Sequence, residues 1–189
     1  NAISTATAVD YASLEWTSSG DGIFLPNNTV KNPSYTPGTN DLSSETVTLT
    51  LTATPLTSCQ TDVVDDAIFD VYSAPVAYAG SDQTICEGNT FTISQATADN
   101  DASILWTSSG SGSWNDPTLE NPIYTPSAGD IANQSVTLTM TITGKGVCPT
   151  DDDSMVLNIV PKPTANAGLD QSICQGEQII IDATAQNYA

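Results

Sequence analysis

Acids and thiols carry the chemistry available to this chain of 189 residues. Asp65-Asp66 and Asp151-Asp152-Asp153 are runs of adjacent carboxylates, and paired carboxylates can divide into acid and base, as in glycoside hydrolysis. Hard oxygen ligands clustered near a domain junction can instead share a calcium ion. Asp151, Asp152 and Asp153, with Asp82 and Asp170, are the candidates for that role. A solvated acidic loop explains the same runs without either activity, and no dense EF-hand-like spacing is present. The four cysteines, Cys59, Cys86, Cys148 and Cys174, stand singly and far apart, without the close pairs of a zinc site. Histidine is absent, which removes the commonest general base and nitrogen ligand. With no glycine loop to cradle phosphate either, no catalytic residue and no enzyme activity are expected.

The elements that position these groups come twice. Trp16 to Tyr35, WTSSGDGIFLPNNTVKNPSY, returns as Trp106 to Tyr124, WTSSGSGSWNDPTLENPIY. AYAGSDQTICEG, from Ala77, returns as ANAGLDQSICQG, from Ala165. A period of nearly ninety residues is that of a small domain rather than a solenoid turn. The expected boundaries are 1–75 for a first repeat entered after its first strand, 76–162 for a second and 163–189 for the start of a third, with alternatives near 88 and 176. Ser73-Ala74-Pro75 and Pro161-Lys162-Pro163 mark junctions stiffened by proline. Three basic against 22 acidic residues give a net charge of −19, which opposes binding to nucleic acid or anionic lipid. No apolar run approaches the roughly 20 residues that cross a bilayer, so no direct membrane insertion is expected.

Within a repeat the strands read by alternation. TVTLTLTAT (from Thr46) and SVTLTMTIT (from Ser135) keep an unbroken period of two, which buries Val136, Leu138, Met140 and Ile142 and leaves the threonines wet. Such a threonine face could meet ice or a flat glycan, but threonine is simply a good residue for an exposed strand face. Leu14 and Trp16, with Ile104 and Trp106, read as inward positions of a strand, and Ile3, Ile93 and Ile181 mark short strands ahead of it. Gly20-Asp21-Gly22 and Gly110-Ser111-Gly112 suggest hairpin turns at positive φ, followed by Phe24 or Trp114. The prolines around Tyr35 and Tyr124 suggest an edge or corner. Ser127 to Ala132 suggests a 3₁₀ turn, and Phe69 and Val71, or Leu157 and Ile159, a closing strand after an acidic loop. Short strands with turn signals about every ten residues make the chain all-β, as tandem immunoglobulin-like (PKD-like) β-sandwich domains.

WTSSGDG, NPSYTP, TVTLTLTAT and AGSDQTICEG resemble the Ig-like or PKD-like tandem repeats of giant cell-surface adhesins of Bacteroidota, of the gliding-motility adhesin SprB type. WTSSG stands where the PKD pattern has WDFGDG. The resemblance covers essentially the whole chain. It implies an extracellular, bacterial cell-surface location, type IX secretion, and a role as a stalk or fibre for surface attachment or gliding. The implied partners are extracellular surfaces or glycans and neighbouring repeats of the same chain. A carbohydrate-binding accessory module of a secreted polysaccharide-degrading enzyme is the alternative, for which Phe24 and Trp114 are the available aromatics. Asp153-Ser154-Met155 also resembles the Asp-Ser/Thr-apolar motif of Bacteroidota O-glycosylation, which makes Ser154 a candidate site. The Asn27 and Asn133 sequons carry meaning only in a eukaryotic secretory pathway. Cysteines in register within a surface-type repeat suit an oxidising compartment, so disulfides are expected. Three pairings stay open: Cys59–Cys86 with Cys148–Cys174 if the chain doubles back at each junction, a staggered pairing with partners in further units, or Cys86–Cys148 within one unit.

Overall fold

A computed structural model describes residues 6–56 and 61–187; Ile3 and Cys59 lie outside them. The chain divides into two units, the first running to Ala74 and taking in Lys145–Cys148, the second comprising Pro75–Gly144 and the residues from Pro149. The first contains β1 (Tyr11–Ser18), β2 (Ile23–Leu25), β3 (Ser34–Thr36), α1 (Thr39–Ser44), β4 (Thr46–Pro55) and β5 (Val63–Asp70). The second runs β6 (Val76–Tyr78), β7 (Gln83–Cys86), β8 (Phe91–Thr92), β9 (Thr97–Asp99), β10 (Asp101–Ser108), β11 (Ser113–Trp114), β12 (Ile123–Thr125), α2 (Ala128–Asn133), β13 (Ser135–Gly144) and β14 (Thr150–Val160). A short ladder of β15 (Thr164–Asn166) and β16 (Thr184–Gln186) follows. Among the described residues, no helix is long and apolar enough to cross a membrane.

Unit 2 is a sandwich of the sheet β10-β13-β14-β7 on the sheet β11-β12-β8, with β6 and β9 paired at its side. Alternation in β13 and β14 sends Leu138, Met140, Ile142, Leu157 and Ile159 into the core, where Trp106, Ile93 and Tyr124 meet them. Each such side chain removed from water contributes roughly 1.5–3 kcal/mol. Thr137, Thr139 and Thr141 are half-buried on the other face. Unit 1 repeats the plan with the sheet β1-β4-β5, and Leu14, Trp16, Val47 and Leu49 form its core. Register repeats too, Trp16 lying opposite Leu51 and Trp106 opposite Met140, with a bulge near the start of β1 and again of β10.

Several expectations need correction. Asp65-Asp66 and Asp151-Asp152-Asp153 lie inside strands β5 and β14, not in loops. The segment read as a 3₁₀ turn is the α-helix α2, closed by Gln134 in the left-handed region, as Glu45 closes α1. The strand of Tyr124 is central in its sheet, because Pro122 and Pro126 fall just outside it and cost the ladder no donor. Ile181 is exposed and outside any strand. Among the described residues β5 pairs with β4, β6 with β9, and β7 lies parallel to β14; the Cys59–Cys86 pairing falls on Cys59, outside the described residues.

Candidate functional site: a buried carboxylate clasp and the predicted acids and thiols

Each unit encloses one carboxylate that the sequence reading missed. Asp41 and Asp130 are each 1% exposed, and a buried charge persists only when hydrogen-bonded. In unit 2, Asp130 Oδ2 accepts from Tyr124 Oη at 2.8 Å and from Ser127 N at 2.9 Å, while Oδ1 accepts from Ser111 N at 3.3 Å. Ser127 Oγ in turn accepts from Asp130 N at 3.2 Å, which completes a reciprocal cap on α2. Unit 1 repeats the core of this arrangement: Asp41 Oδ2 accepts from Tyr35 Oη at 2.8 Å and from Gly38 N at 2.9 Å. Gly38 has no side chain to cap α1, and Asp21 does so from the facing loop, accepting from Asn40 N at 3.0 Å.

The tyrosine hydroxyls close the clasp onto the glycine loops. Gly22 N donates to Tyr35 Oη at 3.0 Å and Gly112 N to Tyr124 Oη at 3.2 Å. These loops were expected to need glycine for positive φ, but Gly20, Gly22, Gly110 and Gly112 are not among the positive-φ residues. Space is the reason instead. A Cβ at Gly20 or Gly110 would overlap the Asp41 or Asp130 carboxylate, and one at Gly22 or Gly112 would overlap the Tyr35 or Tyr124 hydroxyl. Burial alone would raise the carboxylate pKa values. The Gly38 or Ser127 amide and the tyrosine hydroxyl outweigh it, and both acids are held below the usual value. Burial, with the neighbouring carboxylate, pushes Tyr35 and Tyr124 above 10.0. A carboxylate already held by protein donors in a closed interior is a structural tie, with no room for substrate.

The acids chosen from the sequence serve the backbone as well. Asp151 Oδ2 and Asp153 Oδ2 accept from Ala77 N and Ala79 N, both at 2.8 Å, and so hang the β6 segment on β14. Asp82 Oδ1 accepts from Val156 N at 2.8 Å. Asp66 accepts from Thr50 Oγ1 at 2.6 Å, Asp152 points outward from β14, and Asp170 is exposed. Among the described residues, no three metal-ligating side chains gather at one place. Exposed Ser154 sits in β14 with its Oγ 3.0 Å from Thr139 Oγ1. Asn27 holds an Asx turn, accepting from Thr29 N at 3.0 Å, and Asn133 ends α2.

Phe24 and Trp114 are engaged within their units. Phe24 lies 6.3 Å from Trp16 and 5.0 Å from Tyr35, and Trp114 lies 5.6 Å from Trp106 and 4.7 Å from Tyr124, all as tilted ring pairs. Cys86, Cys148 and Cys174 are free thiols. Cys86 lies opposite Val160, at the far end of β14 from Cys148. The 11 residues of β14 put roughly 35 Å between those ends, far beyond the about 7 Å that a disulfide spans between Cα atoms.

No family model matches the sequence, and no curated protein matches it. Among solved structures, the chain is similar to the extracellular domain of protocadherin GammaB4 (12% identity, 91% of this chain and 34% of that one, TM-score 0.42). It is also similar to protocadherin gamma B7 extracellular cadherin domains 1–4 (13% identity, 90% and 49%, TM-score 0.43) and to human protocadherin-24 EC1-2 (12% identity, 79% and 82%, TM-score 0.40). The chain spans about a third of the length of the first of these structures and about half of the second, 34% and 49%.

Proposed function

We propose that this chain is a structural and adhesive repeat module of a large secreted surface protein. It belongs to the elongated stalk of a bacterial adhesin of the gliding type that its words resemble, exported by type IX secretion. Repetition of construction carries this reading. Tyr35 and Tyr124, Asp41 and Asp130 recur with the same tyrosine-to-carboxylate and glycine-to-tyrosine hydrogen bonds at nearly the same distances, beside Trp16 and Trp106 in the same register, so each unit holds itself together by its own clasp. Units of that kind can be added in series without a shared core. Proline at the junctions and a net charge of −19 also suit a solvated, extended array. The aromatic rings that a glycan-binding module would expose are instead packed between tryptophan and tyrosine.

Small-angle scattering on concatemers of two, four and six units tests the stalk. The maximum dimension should grow linearly with copy number. Compact particles whose radius of gyration grows with only about the 0.38 power of length would refute it.

A further inference from the structure

We draw no further inference here: the strongest candidate, the threonine face of the unit 2 sheet, where Thr107, Thr139 and Ser154 lie side by side across β10, β13 and β14 with Thr139 Oγ1 3.0 Å from Ser154 Oγ, is an open sheet surface, and nothing in the structure shows what covers it.

Discussion

Replacing Tyr124 by Phe removes one oxygen and keeps the ring that packs 4.7 Å from Trp114. The lost oxygen donates to Asp130 at 2.8 Å and accepts from Gly112 N at 3.2 Å. A hydrogen bond to a charged group contributes about 1.5–3 kcal/mol and a neutral one about 1, so the variant should lose about 2–4 kcal/mol at pH 7. For a domain of this size that is a melting-temperature fall of about 10–25 °C. The pH dependence gives a sharper test. The folded pKa of Asp130 is depressed, so its contribution is present above the unfolded value near 3.9 and is lost as pH falls through the folded value. Without Tyr124 one cause of that depression is gone, and the folded pKa moves up. The penalty of the substitution should therefore shrink as pH falls below about 4, towards the roughly 1 kcal/mol of neutral bonds. Urea titrations followed by tryptophan fluorescence at several pH values measure both. A loss under about 0.5 kcal/mol at pH 7, or a loss that grows on acidification, would refute the clasp as a stabilising charge.

Gly112→Ala sits outside the left-handed region, where alanine ordinarily stabilises by about 0.4–1 kcal/mol; overlap with Tyr124 and the Thr125 carbonyl should reverse the sign and destabilise by about 1–3 kcal/mol, read from the same titrations. Asp153→Ala should release the Ala79 amide from its 2.8 Å bond and speed its hydrogen exchange at least about tenfold by weakening one charge-assisted bond, with no dependence on added calcium; unchanged exchange would show that β6 is held otherwise. Peptide mapping of oxidised protein without reduction should yield no Cys86–Cys148 link, since β14 lies between them, and finding one would refute the β7–β14 register.

The long strands were legible because Val47, Leu49 and Leu51, and Val136 to Ile142, alternate with threonine and nothing opposes that period. The repeated tryptophans and tyrosines were legible as core for the same reason, large rings beside polar neighbours. The acids were misread because three consecutive aspartates contradict strand propensity. Tertiary structure overrides that preference when Asp151 and Asp153 become acceptors for the backbone of β6. The clasp left one usable trace: tyrosine and aspartate are six residues apart in both copies, Tyr35 to Asp41 and Tyr124 to Asp130. Glycine was rightly noticed beside it but given the wrong cause, because sequence shows a missing Cβ and not which neighbouring atom fills its place.

The parallel course of β7 and β14 has a mechanical consequence. β7 lies near the start of unit 2 and β14 at its end, and the two run in the same direction side by side. A pull on the two ends of the unit drags these strands past each other in opposite senses. The load therefore falls on the rungs from Leu157–Gln83 to Val160–Cys86 together, in shear, rather than on one rung at a time as in peeling. The carboxylates of Asp151 and Asp153 add ties to the segment just ahead of β7. Resistance to such a pull is set by the barrier to unfolding rather than by equilibrium stability, and this strand arrangement places its hydrogen bonds where that barrier is built.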